Sequence, residues 1–190
     1  DLPTHVAAAD PHTGYLKEND VNWLDLTDAG QTTLHSHAGG ASSITTLKKT
    51  ANQTINGTAF QNITDLTFAV SASTDYAFRF YIAFQSAQTA TGFRLGVNGP
   101  AGATVDYVLR YQTVANAATS GVATYLDMHN TGYDQMTVTA TTIAANVDLY
   151  ATIEGRILVA GTSGTFAVRV ASEAANNDVS VRKGSWGIYF

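Results

Sequence analysis

The stretch of sequence that most constrains the fold runs from Tyr76 to Gln85, where large apolar side chains recur at every second position. In an extended strand, residues two apart point to the same face. One face therefore carries Phe78, Phe80, Ile82 and Phe84, and the other carries Ala77, Arg79, Tyr81 and Ala83. This alternation predicts a β-strand with one buried face.

A second long strand is predicted from Leu149 to Val159 by the same alternation. Its inward positions are Leu149, Ala151, Ile153, Ile157 and Val159, and its outward positions are Tyr150, Thr152, Glu154 and Arg156. Glu154 and Arg156 lie two residues apart on the outward face, and we expect them to form a solvated or interfacial ion pair.

Further short strands are predicted around these two, separated by segments rich in Gly, Asn, Asp and Pro. They are Leu66–Ser71, Phe93–Asn98, Val105–Thr113, Thr124–His129, Met136–Ile143, Phe166–Ser172, Val179–Arg182 and Trp186–Phe190. Roughly eight to ten short strands at near-regular spacing, without a sustained helical period, indicate an all-β fold. We predict an antiparallel β-sandwich, jelly-roll-like, over residues 45–190.

Residues 1–44 differ from the rest of the chain, because they contain four of the five histidines and too few apolar residues to close a core. We expect an extended N-terminal arm that docks onto another surface, most simply a neighbouring chain. The side chains expected to anchor this arm are Tyr15, Trp23, Leu24 and Leu26.

His35 and His37 lie two residues apart within this arm. If the segment is extended, both imidazoles share one face. A transition metal usually takes about four to six donors, so two histidines from each of three chains would complete a site. This pattern predicts a structural Fe or Zn ion on the threefold axis of a homotrimer. The alternative is that both histidines are solvated residues of a Gly-rich connector.

Charged residues make up only 13% of the chain, compared with roughly 25% in an average soluble protein. We expect neighbouring chains to cover much of the surface. The net charge is -5, and Lys48-Lys49 and Arg182-Lys183 are isolated pairs rather than a patch. We therefore expect no binding to nucleic acid. No apolar run approaches about 18 residues, so no membrane insertion is expected. The chain has no cysteine and can form no disulfide.

Enzyme classes are disfavoured by the residues that they would need. His129, beside Asp127, is the sole histidine outside the arm, and no Gly-x-Ser-x-Gly elbow is present to supply a nucleophile. A metal-dependent cupin-like enzyme would need a carboxylate a few residues after His37, where the sequence has only Ala, Gly and Ser. We predict that the protein is not an enzyme and requires no cofactor.

Tyrosines offer a different alternative, a sugar-binding platform. The candidates for exposed rings are Tyr107, Tyr111, Tyr125 and Tyr133. Tyrosine in β-proteins also lines strand faces and interfaces, so both interpretations stand.

Several short motifs resemble those of bacteriophage virion structural proteins. The segment Leu2–Leu16 contains Asp-Pro-His-x-x-Tyr-Leu, which is similar to segments that precede trimeric modules in phage tail fibres. Leu34–His37 resembles His-x-His elements that bind a metal ion on the threefold axis of some phage spikes and fibres. The runs Ile153–Arg156, Val168–Glu173 and Val181–Gly187 resemble a β-sandwich module at the ends of phage structural proteins.

The resemblance implies a bacteriophage structural protein of the virion exterior: a homotrimeric fibre, spike or capsid decoration protein that docks through its arm and displays the sandwich. Its implied partners are its own copies, other capsid or tail proteins and a host surface glycan. The sequence departs from the family at His12-Thr13-Gly14, where His-Pro-Gln is frequent, and it shows no coiled-coil stem. The alternatives are a carbohydrate-binding, receptor-binding fibre tip and the cupin-like enzyme.

Overall fold

The computed structural model describes residues 43–89, 91–113, 124–135, 140–141 and 145–190. This part of the chain contains twelve β-strands and no helix. It therefore includes no membrane-spanning helix. The strands are β1 (Thr45–Lys48), β2 (Gln53–Ile55), β3 (Gln61–Val70), β4 (Asp75–Ser86), β5 (Gly92–Asn98), β6 (Thr104–Thr113), β7 (Thr124–Asn130), β8 (Ala140–Thr141), β9 (Leu149–Leu158), β10 (Gly164–Ser172), β11 (Val179–Val181) and β12 (Trp186–Tyr189).

The strands form two antiparallel sheets. The large sheet has the order β1-β12-β4-β9-β6-β7, with β11 pairing with both β4 and β2. The small sheet has the order β3-β10-β5-β8. The predicted all-β, antiparallel, jelly-roll-like sandwich is confirmed, and the arm predicted for residues 1–44 lies outside the described residues, apart from residues 43 and 44.

The core lies between the two sheets and is built mainly from aromatic and β-branched side chains. As predicted, the alternating side chains of β4, from Phe78 to Phe84, are at most 3% exposed. Phe78 meets Phe166 of the small sheet at 4.6 Å between ring centroids, and Phe84 stacks on Phe93 at 4.1 Å. Burying each such side chain contributes about 1.5–3 kcal/mol, so this contact between the sheets is a main source of stability.

Two glycines allow the large sheet to pack this closely. A Cβ atom on Gly187 would overlap the ring of Phe80, and one on Gly155 would overlap the backbone of β6 at Asp106. Both positions face the core, where a glycine leaves room for a neighbouring side chain or strand.

Two parts of the fold differ from the sequence-based prediction. β1 and β2 were not predicted, and β3 begins at Gln61, five residues before the predicted start at Leu66. The alternation fails within β3 because Asp65 has a φ of 70° and breaks the period of two. The carboxylate of Asp65 accepts hydrogen bonds from Thr50 N at 3.0 Å and Thr50 Oγ1 at 2.8 Å, which stabilises this irregular backbone. Of the strand predicted for 136–143, residues 140–141 form β8 and the rest lies outside the described residues.

Candidate functional site

The solvent-facing side of the large sheet carries most of the exposed aromatic and charged side chains of the described chain, and we call it the open face. These side chains alternate along each strand with those of the core, so the packing that closes the core also fixes their positions. The open face comprises Arg79, Tyr81, Asp106, Val108, Arg110, Tyr125, Asp127, His129, Tyr150, Thr152, Glu154, Arg156 and Trp186.

Three rings stand side by side on the open face. Trp186 of β12 pairs in register with Tyr81 of β4, and their rings stack at 6.2 Å between centroids. Tyr81 also stacks on Tyr150 of β9 at 5.3 Å. Partial burial raises the pKa of Tyr81 above its ordinary value, and Tyr150 and Tyr125 add to this effect. The two outer rings each keep one face turned away from Tyr81, and such a face can bind an apolar or sugar surface.

Ion pairs link neighbouring strands across the open face. Arg79 contacts Glu154 at 2.8 Å between Nη2 and Oε2. Arg110 holds Asp127 through two parallel hydrogen bonds, from Nε at 2.7 Å and from Nη2 at 2.9 Å, and this holds the pKa of the Asp127 carboxyl below its usual value.

The predicted ion pair between Glu154 and Arg156 is wrong, because each of the two side chains pairs with a different residue. Glu154 faces Arg79 across the pairing of β9 with β4, and Arg156 faces Asp106 across the pairing of β9 with β6. Each side chain therefore meets a partner directly opposite on a neighbouring strand, which is closer than a residue two positions along its own strand. Both are solvated, as expected, with side chains at least half exposed.

A second charged cluster lies at one edge of the open face. His129 Nε2 lies 2.6 Å from Asp106 Oδ1, and Arg156 Nη2 lies 3.5 Å from Asp106 Oδ2. The hydrogen bond with His129 lowers the pKa of the Asp106 carboxyl, and Arg156 adds to this effect. His129 thus pairs with Asp106 rather than with Asp127, its neighbour in sequence.

Two clefts flank the Tyr81–Tyr150 pair. The first, the central cleft, has a volume of about 500 Å³ and is lined by Arg79, Val108, Arg110, Tyr125, Thr152 and Glu154 in addition to the pair. The second, the basic cleft, has a volume of about 670 Å³ and is lined by Lys48, Asn52, Asp148, Arg182, Lys183 and Gly184 in addition to the pair. Together they give the open face recesses with both ring surfaces and charged groups.

The tyrosine platform predicted from the sequence is wrong for two of its members. Tyr107 and Tyr111 are only 1% and 2% exposed, because they share the inward parity of β6 with Val105 and Leu109. Burial raises the pKa of Tyr107 to about 12. Tyr133 is half-buried and donates a hydrogen bond to Pro100 O at 3.1 Å, whereas Tyr125 is 56% exposed.

The sequence-based platform omitted Tyr81, Tyr150 and Trp186, which form the row of stacked rings on the open face. A usable signal was present, since the alternation of β4 and β9 already placed Tyr81 and Tyr150 on the outward face. Trp186 gave no such signal, because its short strand has no clear alternation.

The other predicted site residues lie outside the described residues. These are the metal-site histidines His35 and His37 and the arm anchors Tyr15, Trp23, Leu24 and Leu26. Within the described part of the chain, no group of three or more His, Asp or Glu side chains is placed to hold a metal ion.

No family model matches this sequence, and no curated protein matches it. Among solved structures, that of infectious bursal disease virus Gx strain is similar over 77% of this chain and 36% of its own, with 12% identity and a TM-score of 0.21. The VP2 subviral particle of infectious bursal disease virus is similar over 77% of this chain and 39% of its own, with 11% identity and a TM-score of 0.22. The chain thus spans less than half the length of either, and a likeness at this level assigns it to no family.

Proposed function

We propose that this protein is a structural component of a virus particle, a homotrimer on the particle exterior that docks through residues 1–44 and displays the sandwich. The observation that carries the proposal is the open face, on which exposed rings and paired charges stand on a rigid sheet with a closed core. Such a broad face suits recognition of a large partner. The resemblance of the arm segment Leu2–Leu16 to bacteriophage tail-fibre proteins favours a phage particle and a fibre, spike or decoration role.

The arm is tested by comparing the full chain with a variant that begins at residue 45. We expect the full chain to have the mass of a trimer in solution and to bind particles. The shortened chain should stay folded and lose particle binding, because it lacks the anchors Tyr15, Trp23, Leu24 and Leu26. A full chain that is monomeric, or a shortened chain that binds particles at full occupancy, would contradict the proposal.

The metal site is tested separately, by elemental analysis of the trimer and of the variant His35→Ala/His37→Ala. Two histidines from each of three chains would hold one Fe or Zn ion per three chains. We expect the variant to contain no metal and to melt at a lower temperature. One metal per chain would instead favour the cupin-like alternative, and a melting temperature unaffected by chelator would count against a structural metal.

A second candidate function is carbohydrate binding at the open face, which would make the sandwich a host-attachment module. The row of Tyr81, Tyr150 and Trp186 beside two clefts favours it, because sugar rings pack their apolar faces against aromatic side chains. Glycan-array binding by the full chain that is lost in Tyr150→Ala would support this function. Equal binding by Tyr150→Ala would contradict it.

A further inference from the structure

Three cationic side chains from distant parts of the sequence line the basic cleft. Lys48 ends β1, and Arg182 and Lys183 follow β11, yet the structure places all three around one recess. The sequence had suggested two isolated pairs, Lys48-Lys49 and Arg182-Lys183. The fold separates the first pair, because Lys49 is buried and its ammonium donates a hydrogen bond to Gln53 Oε1 at 3.0 Å. Lys48 lies instead in the same cleft as the second pair.

The backbone that carries two of these cations is rigidly held. Arg182 N donates to Ala83 O at 2.8 Å, and Lys183 N donates to Asn52 Oδ1 at 2.7 Å. Gly184 has a φ of 90° and donates its N–H to Lys49 O at 3.0 Å, which closes the turn. The positions from which the cationic side chains extend are therefore fixed before any ligand arrives, which lowers the entropy cost of binding.

The basic cleft has a local excess of positive charge. Arg182 Nε contacts Asp148 Oδ1 at 3.2 Å, and among the described residues that line this cleft Asp148 is the one carboxylate. Lys48 and Lys183 are exposed and make no ion pair with any described residue. Residues 43–190 contain nine Lys and Arg and nine Asp and Glu. The excess is therefore a property of this cleft and not of the whole sandwich.

The lining of the basic cleft is partly aromatic. Tyr81 and Tyr150 line it together with the cations, so a ligand in the cleft would meet both ring surfaces and ammonium or guanidinium groups. A pyranose that bears a carboxylate or sulfate combines an apolar ring face with an anionic group. The cleft is complementary to both parts of such a molecule.

We propose that the basic cleft binds an anionic sugar residue of a glycan, with its carboxylate or sulfate at Lys48, Arg182 and Lys183 and its ring against Tyr150. This proposal rests on the carbohydrate-binding function proposed above and names its ligand class. Nucleic acid is the less favoured occupant, because its binding usually draws on about six to ten phosphate contacts. The basic cleft offers three cations, and the arginines of the open face are already paired with carboxylates.

The test measures binding of the full chain to four probes by calorimetry at low salt. The probes are 3′-sialyllactose, lactose, galactose 6-sulfate and a single-stranded oligothymidylate of twelve nucleotides. We expect sialyllactose or galactose 6-sulfate to bind at least tenfold more tightly than lactose, and the preferred probe distinguishes a carboxylate from a sulfate ligand. Added NaCl should reduce this preference, because salt screens exposed charges.

Variants locate the site. We expect Lys48→Gln/Lys183→Gln to reduce affinity for the anionic probe at least tenfold and to leave the weak binding of lactose unchanged. The matched pair Lys183→Gln and Arg156→Gln each removes one exposed positive charge, the first from the basic cleft and the second from the open face. Arg156 lines neither the central nor the basic cleft, so its variant should bind like the unmodified protein.

Three outcomes would overturn the proposal. If lactose and the anionic probes bind equally, or Lys48→Gln/Lys183→Gln binds normally, the anionic ligand class fails while carbohydrate binding stands. If no sugar binds, both the carbohydrate function and this inference fail. If the oligothymidylate binds more tightly than the sugars and loses affinity in the same variant, the cleft is a phosphate-binding surface instead.

Discussion

The two outer sides of the sandwich both carry arginine–carboxylate ion pairs, but the pairs differ in how far they are exposed to solvent. On the open face, arginine pairs such as Arg79–Glu154 remain 59% and 51% exposed. On the outer side of the small sheet, which we call the covered face, Arg169 pairs with Asp134 while the two side chains are only 21% and 27% exposed. The salt bridges are therefore accessible to solvent on the open face, whereas on the covered face they form structural contacts within the chain.

The covered face is closed by two segments of the chain itself. In the loop between β2 and β3, Gly57 O accepts from Ser172 N at 2.9 Å and Phe60 O accepts from Arg169. The ring of Phe60 lies under the guanidinium groups of Arg94 and Arg169, at 5.0 Å and 5.9 Å from its centroid. The segment that follows β7 contributes Asp134, whose N–H donates to Val97 O at 2.9 Å.

Among the described residues, this difference separates an exposed outer side from one that the chain itself covers. Ala167 and Ala171 point away from the core on β10, yet both are at most 3% exposed because the chain covers them. Ala77 points outward from β4 and stays half-buried beside Arg156. We infer that the covered face contributes stability and that the clefts of the open face contribute binding.

The sharpest test of the comparison places a carboxylate on each side. Ala167→Asp would bury a charge on the covered face with Asn98 and Thr67, and no cation, directly opposite it, and we expect it to lower the free energy of unfolding by roughly 3–5 kcal/mol or to prevent folding. Ala77→Asp puts the same group opposite Arg156 and should change stability by less than about 1 kcal/mol. Urea denaturation measures both. Equal losses would show that the two sides do not differ.

A smaller effect is expected from removing one arginine on each side. Arg169→Met leaves the carboxylate of Asp134 partly buried without its partner, and we expect a loss of about 2–3 kcal/mol. Arg79→Met exposes Glu154 to water and should cost less than about 1 kcal/mol. Chemical denaturation of the two variants under identical conditions gives the comparison. A loss on Arg79→Met as large as that on Arg169→Met would contradict the inference that the exposed ion pairs contribute little to stability.

The smallest effect concerns acid stability. The pKa values of Asp106 and Asp127 are lowered in the folded protein, chiefly by hydrogen bonds from His129 and Arg110. A lowered pKa contributes stability that is present above the unfolded value near 3.8 and is lost as the pH falls through the folded value. We expect the melting temperature to fall below about pH 4, and to fall less steeply in Asp106→Asn/Asp127→Asn. Parallel curves for both proteins would contradict this.

The strands of the core were predictable because their signal is local. The inward side chains of β4 and β9 repeat every two residues without interruption, and each was placed on the correct face. β3 was only half predicted, since its irregularity at Asp65 depends on Thr50, fifteen residues away. Tyr107 and Tyr111 were predicted as exposed candidates because tyrosine rings can bind sugars, although the alternation along β6 places both of them inward.

The basic cleft could not be predicted from the sequence. Lys48 and Lys183 are separated by more than a hundred residues. They lie close together because β1 pairs with β12 at one edge of the large sheet and the turn that follows β11 adjoins this edge. Both pairings are long-range backbone contacts, so no local pattern encodes them. The same holds for Arg169 and Asp134, whose contact depends on a segment that crosses over the small sheet.

The sequence alone determined that this protein is a β-sandwich and which side chains of β4 and β9 face inward, because alternation is a property of the strand itself. The tertiary structure alone decided which outward side chains meet, which outer side is covered and which cations share a cleft. The physical reason is that strand order and loop path bring distant residues into contact, and only these contacts assemble separate charges and rings into one surface.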